Sequence, residues 1–140
     1  MRTVVLTIHV VLAIFLIGPL VSAANQAPRA LRTGDAGALR LLARTVTMNG
    51  WASIAVAVVG FGLVQRRYGN ELTDGWLIAS ILLFLVATLL VVLLLAPLLR
   101  GAATNAGEAA HLAGRVGALA GIASLCYVVI AVLMVWQPGN

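Results

Sequence analysis

Apolar residues fill four long runs of the 140-residue chain, and every Asp, Glu and Arg lies outside them. Crossing about 30 Å of hydrocarbon takes about 20 helical residues. The pattern therefore predicts an all-α four-transmembrane-helix bundle with short cytoplasmic interfacial helix extensions, and a single integral membrane domain over residues 1–140. The predicted spans cover residues 4–23, 46–64, 76–99 and 116–136.

The first run has an alternative interpretation as a signal peptide. Arg2, the apolar stretch and Val21-Ser22-Ala23 resemble a secretory signal with an Ala-x-Ala-like cleavage site. The stretch is longer than the roughly 7–15 residues of a signal core, and Arg29 and Arg32 follow it directly. We therefore expect a retained helix.

Composition supports a membrane protein and removes several classes of activity. Hydrophobic residues make up 62% of the chain and charged residues 9%, against about 25% charged in soluble domains. The single cysteine, Cys126, excludes an intramolecular disulfide and a cysteine-built zinc site. No catalytic triad or phosphate-binding glycine loop is found, so no catalytic residue, metal site or nucleic-acid partner is assigned.

Arginines provide all of the basic side chains and predict the orientation, because positively charged loops stay cytoplasmic. Three, Arg2, Arg66 and Arg67, lie on one side. We expect the other side to be cytoplasmic, both termini to be extracytoplasmic, and the six arginines to contact anionic headgroups or an acidic partner. These six are Arg29, Arg32, Arg40, Arg44, Arg100 and Arg115.

Two spans are expected to extend beyond the membrane. Thr33 or Asp35 is the expected cap of an interfacial turn that leads into the second span. Asn105 and Glu108 have the spacing of a capping box, which predicts that the fourth helix begins directly after Asn105. Glu108 and His111 also have the Glu-x-x-His spacing of di-iron sites. Such sites need a second copy and further carboxylates, so we favour the capping role.

Small residues recur at helical spacing on the second and fourth spans. Such residues allow helices to approach closely in lipid, so we expect both stripes to face protein, either within one chain or across a dimer. The third span is mostly Leu, Val and Ile and is the expected lipid-facing wall. The predicted helix-packing residues are Gly50, Ser53, Ala57 and Gly60, and Gly114, Gly117, Gly121 and Ser124.

Two histidines are the candidate ligands for a metal or haem. His9 lies five residues beyond Val4, about 7 Å below the outer edge, whereas His111 belongs to the opposite face. A separation of about 25–30 Å excludes an iron or metal shared by both rings. His9 and Met134 share a depth and are the candidate cofactor-binding pair for haem or copper. The alternative is a neutral imidazole hydrogen-bonded to Ser80 or to a freed backbone carbonyl, and no cofactor is the leading expectation.

Three segments resemble a bacterial group of small four-helix integral membrane proteins of unknown function: residues 7–19 (TIHVVLAIFLIGP), 32–36 (RTGDA) and 131–138 (AVLMVWQP). The resemblance implies the same fold and a location in the bacterial plasma membrane. More distantly, the chain resembles the copper-resistance protein D family and the HemJ-type protoporphyrinogen oxidases. In the HemJ type a first-helix histidine ligates haem, which would correspond to His9. That type also relies on a lysine, and this sequence has none.

Three hypotheses for the function follow. The first is a non-enzymatic accessory or scaffold subunit of a larger membrane assembly, with other membrane subunits or a homo-oligomer as partners. The alternative is a haem-, porphyrin- or copper-binding redox protein that uses His9. A small transporter comes third, because the spans contain no Asp, Glu, Lys or Arg for an ion or proton relay.

Overall fold

The computed structural model describes residues 1–67 and 74–138, and these form four long helical rods. All four are long and apolar enough to cross a membrane, and no strand occurs in the described part of the chain. The predicted all-α four-helix bundle is therefore confirmed. The helices are α1 (Arg2–Thr33), α2 (Ala36–Arg67), α3 (Gly75–Leu89), α4 (Ala96–Thr104) and α5 (Ala113–Trp136). A π-helical turn, Leu90–Leu95, joins α3 to α4, and a 3-10 segment, Ala106–Leu112, leads into α5.

The two ends of the bundle differ, and we name them by their chain segments. The loop face contains the turns at Gly34 and Asn105, and the terminal face contains Met1 and Trp136. The two turns meet, because a Cβ on Gly34 would lie 3.3 Å from the carbonyl oxygen of Ala106.

Helix extends towards the loop face in all four rods, not only in the two that the sequence indicated. α1 continues to Thr33 instead of ending near Ala23, and the third rod continues to Thr104. The charges that end the apolar runs do not end the helices. Arg32 is exposed on α1 while the adjacent Leu31 is fully buried, so the extensions are amphipathic and continue the packing of the core.

A glycine makes the turn between α1 and α2 possible. Gly34 has φ 67° and ψ 26°, a left-handed conformation that glycine adopts without a Cβ clash. The Oδ1 of Asp35 then accepts a hydrogen bond from the backbone N–H of Ala38 at 3.0 Å. The Thr33 hydroxyl instead donates to the carbonyls of Arg29 and Ala30. Of the two expected caps, Asp35 is the one that caps α2.

The fourth rod begins after Asn105 as expected, but the capping box is wrong. Its first seven residues form a 3-10 helix, and Asn105 makes no side-chain capping hydrogen bond. The backbone N–H of Asn105, which a capping glutamate would accept from, already donates to the carbonyl of Ala102 at 3.2 Å. The Glu108 backbone carbonyl accepts from Nδ1 of His111 at 2.8 Å.

Alanine dominates the core, which lies mainly towards the loop face. α1 packs most extensively against α2, while α5 packs against α3 and α1. Small side chains let these helices approach closely, which is how contacts are strengthened in lipid. The largest fully buried apolar side chains of the core are Leu20, Leu31, Leu39, Leu95 and Leu99.

The first half of α1, not the third span, is the most lipid-exposed part of the bundle. Only 6% of the most apolar window of the first span is buried, compared with 22% for the third. The small and polar positions Ser80, Ala87 and Thr88 turn the third span inward and bury one of its sides. The expectation that the third span forms the lipid-facing wall is therefore wrong.

The π-helical turn precedes Pro97, which cannot donate a backbone hydrogen bond and whose ring crowds the carbonyl four residues earlier. The N–H of Ala96 bonds to the carbonyl of Val91, five residues back. This wider turn accommodates the proline within a continuous rod. Pro19 and Pro28 lie inside α1, which continues past both.

Candidate functional site

His9 lies on α1 and faces α2, where a glycine makes room for its ring. A Cβ on Gly60 would lie 2.7 Å from Cε1 of His9 and 3.3 Å from Nδ1. The side chain is half-buried, and its Nδ1 is buried with no hydrogen-bond partner among the described residues. A polar ring atom therefore lies between two helices, in the space that Gly60 leaves and close to the backbone of Val56.

The structure places the expected partners of His9 on other helices. The Ser80 hydroxyl donates to the carbonyl of Trp76, within its own helix, at 2.8 Å. The expected hydrogen bond from Ser80 to His9 is thus not formed. Met134 lies on α5 and is 38% exposed, whereas the His9 ring rests on α2. The pairing of His9 with Met134 as cofactor ligands stays a prediction.

His9 and His111 lie towards opposite ends of the bundle. His9 is near the terminal face, and His111 lies in the 3-10 segment that begins beside the turn at Gly34. Across residues 1–67 and 74–138, no group of three or more His, Cys, Asp or Glu side chains is positioned to hold a metal ion.

Hydroxyl groups from three helices lie in the bundle interior, a feature that the sequence did not reveal. Tyr127 of α5 is 8% exposed and Thr88 of α3 is 9% exposed. Neither hydroxyl makes a hydrogen bond of good geometry in the described part of the chain, although the hydroxyls of Thr88 and Ser53 both lie near that of Tyr127. Ser53 of α2, fully buried, donates to the carbonyl of Gly50, and Phe84 meets the Tyr127 ring edge to face at 6.4 Å. The only sequence signal was the presence of hydroxyls midway along apolar runs.

The small-residue stripe of α2 lies against other parts of the protein. A Cβ on Gly50 would lie 2.7 Å from Cγ2 of Val92 in the π-helical turn. Ser53 is buried, and Ala57 and Gly60 are half-buried.

Part of the small-residue stripe of α5 contacts α1, and part of it is exposed. The position of a Gly117 Cβ is 3.5 Å from Cγ of Pro28, and Ser124 Oγ accepts from Nδ2 of Asn25 at 2.8 Å. Gly114 and Gly121 are exposed, and a Cβ on either would find nothing within 4 Å. Of the two alternatives for the stripe, packing within one chain does not apply at these two glycines, and packing across a dimer stays a prediction.

The buried side of α5 is one residue out of step with the glycine stripe. One residue corresponds to a rotation of about 100° on an α-helix. Small residues occur on both sides, so composition did not distinguish them. The buried residues of α5 are Ala113, Val116, Ala120, Ala123, Cys126, Tyr127 and Ile130.

Small and polar side chains are also exposed on α1 next to Asn25, which contacts Ser124 of α5. Gln26 donates to both the carbonyl and the hydroxyl oxygen of Ser22, and both side chains are exposed. We name the combined surface the seam face. It consists of the exposed residues Gly18, Ser22 and Gln26 of α1 and Gly114, Ala118 and Gly121 of α5.

All six arginines of the predicted cytoplasmic set are exposed, and they lie towards the loop face. Arg40, Arg44 and Arg100 differ from Arg29, Arg32 and Arg115 because they line one cleft between α2 and α4. The sequence indicated the set but not this grouping, since Arg100 is far from the other two along the chain.

Four membrane-crossing helices around an alanine-rich core define a multi-pass integral membrane protein. The chain belongs to the family described as predicted integral membrane protein (DUF2269), whose model matches residues 3–138. No curated protein and no solved structure matches the chain. The comparisons therefore bear out a small integral membrane protein of unknown function. They give no support to a likeness to the copper-resistance protein D or HemJ-type families.

Replacement of Gly60 by alanine tests the contact with His9. We expect the new methyl group to displace the imidazole and to lower the free energy of unfolding in detergent by about 1–3 kcal/mol. Gly62→Ala is the matched control, because a Cβ there meets nothing within 4 Å. It should leave stability unchanged or slightly higher.

A second substitution shows whether the loss comes from His9. His9→Ala removes the ring, so the Gly60→Ala substitution should be much less destabilising in that background. Equal losses with and without the imidazole would show that the close contact between Gly60 and His9 is wrong.

Proposed function

We propose that this protein is a non-enzymatic accessory or scaffold subunit of a larger membrane assembly, bound to a partner through a transmembrane helix. The observation that supports this proposal is the seam face. It exposes Gly114 and Gly121 of α5 beside Ser22 and Gln26 of α1, on a chain whose other outward surfaces are largely Leu, Val, Ile and Phe.

In lipid, such a surface favours contact with another helix. Apolar helices gain no hydrophobic stabilisation from contact within a bilayer, so association depends on close approach and on polar contacts. The exposed glycines Gly114 and Gly121 permit a partner helix to approach closely. Gln26 favours the polar contacts, because its amide nitrogen already donates to Ser22 and its carbonyl oxygen can accept a hydrogen bond from another helix.

Native mass spectrometry of the protein extracted from its own membranes in mild detergent tests this function. We expect the wild-type chain to carry the mass of at least one different subunit. Gly121→Leu should remove most of that bound population, because the new side chain blocks the approach of a partner helix. Gly62→Leu is the control, since Gly62 is also exposed with nothing within 4 Å, and it should retain the partner.

Three outcomes contradict the proposal. One is a wild-type chain that leaves the membrane as a bare monomer. Another is a complex that contains only copies of this chain, which would make it a homo-oligomer and not an accessory subunit. The third is a complex that survives Gly121→Leu unchanged.

A cofactor protein centred on His9 is the second candidate. The observation that favours it is the half-buried imidazole of His9, a ligand type that haem and copper accept, held in place against Gly60. If haem is bound, the purified protein should show a Soret absorption band that His9→Ala removes and Met134→Leu shifts. A wild-type spectrum without that band would refute haem binding.

We also propose that the loop face is cytoplasmic, which the excess of arginines on that face supports. In a Cys126→Ala background, a membrane-impermeant maleimide added to intact cells should label Pro138→Cys and not Asn105→Cys. Both positions are exposed. Labelling of Asn105→Cys alone would show the opposite orientation.

A further inference from the structure

We propose that the cleft between α2 and α4 binds the phosphate-bearing headgroup of an anionic phospholipid. The cleft has a volume of about 430 Å³ and opens at the surface near the loop face. Arg40 and Arg44 contribute from α2 and Arg100 from α4, and no carboxylate lines the cleft. This inference does not depend on the accessory role proposed above.

A hydrogen-bond chain connects the third arginine to the opposite helix. Nη2 of Arg100 donates to the hydroxyl oxygen of Thr47 at 2.7 Å. That hydroxyl in turn donates to the carbonyl oxygen of Ala43, also at 2.7 Å. The guanidinium group of α4 is thus held beside those of α2. One of its five N–H donors is used in this way, and a guanidinium can bind a phosphate oxygen with the others.

Charge complementarity identifies the ligand as an anion. Three like charges around one cleft repel each other unless an anion lies among them. A phosphate group accepts hydrogen bonds from several guanidinium groups at once, and arginine is well suited to that geometry. Basic clefts between transmembrane helices at the membrane edge are typical sites for lipid headgroups.

The surface below the cleft favours a lipid over a soluble phosphate. Towards the membrane centre on α2, Arg44 is followed by Met48 and Trp51, both 58% exposed. Their spacing of four and three residues keeps all three on one side of the helix.

The neighbouring rod has the same arrangement. In the direction of the membrane centre, Arg100 is followed by the exposed residues Pro97 and Leu93. Each helix therefore presents arginine above an apolar, outward-facing stripe. The acyl chains of a lipid whose headgroup lies in the cleft would extend along these two stripes.

Trp51 supplies a local reporter for the experiment. It lies about 10 Å below Arg44 along α2, whereas Trp76 and Trp136 lie near the terminal face. A Trp76→Phe, Trp136→Phe protein therefore reports only on lipid beside the cleft. This protein is reconstituted in phosphatidylcholine vesicles that contain increasing fractions of phosphatidylglycerol with brominated acyl chains, which quench tryptophan fluorescence on contact.

We expect brominated phosphatidylglycerol to quench Trp51 at a lower mole fraction than brominated phosphatidylcholine does. Replacement of Arg40, Arg44 and Arg100 by glutamine should reduce this preference at least about tenfold. Replacement of Arg29, Arg32 and Arg115 by glutamine is the matched control. It removes the same charge from the same face and should leave most of the preference intact.

Further variants keep the result interpretable. Arg44→Gln alone removes one charge from the cleft and should weaken the preference by a smaller factor. Replacement of the three cleft arginines by lysine retains the charge without the guanidinium geometry, so the preference should recover in part. A triple glutamine variant that loses its helical circular dichroism is replaced by Arg44→Gln as the deciding measurement.

Three results would overturn the proposal. Equal quenching of the wild type by the two lipids would show that the cleft does not prefer the anionic lipid. Its ligand would then be an acidic protein segment, which has the same charge. Equal losses in the two triple glutamine variants would show general attraction to an anionic surface. Relief of quenching by millimolar inorganic phosphate, but not by equal chloride, would assign the cleft to soluble phosphate. Retained quenching in phosphate supports the lipid.

Discussion

Close approach of α1 to α2 and α5 through small side chains is the contact on which the rest of this bundle depends. Helices gain no hydrophobic stabilisation from association in lipid, so close packing has to stabilise this contact. The turn at Gly34 provides it by placing two extended, amphipathic helix ends side by side with Leu31 and Leu39 fully buried. The beginning of the fourth rod lies against the same turn.

This packing is concentrated near the loop face, and it leaves other surfaces with distinct properties. The first half of α1 is largely exposed, and the His9 ring there fits a gap that α2 provides at Gly60. The seam face belongs to α1 and α5, whereas the arginine cleft belongs to α2 and α4. A partner helix on the first surface and a lipid headgroup in the second would use different helix pairs and would not compete.

The predictions that the structure changed assumed that a residue pattern fixes which hydrogen bonds and contacts its helix makes. The capping box failed because the N–H of Asn105 was already bonded to Ala102. The glycine stripe of α5 was expected to face protein, within one chain or across a dimer, and Gly114 and Gly121 are exposed in the single chain. Both sides of that helix carry small residues, and a rotation of about 100° decides which one is buried.

The sequence alone determined the number of spans, the helical class, the separation of the two histidines and the collection of six arginines at one end. These properties follow from chain length, hydropathy and the need to satisfy backbone hydrogen bonds inside lipid, all of which act within a single helix. Only the tertiary structure decided that the His9 ring occupies the space at Gly60, that Tyr127 and Thr88 turn inward, and that Arg100 joins Arg40 and Arg44. Those outcomes depend on how each helix is rotated against its neighbours, and that rotation is set by contacts between residues far apart in the chain.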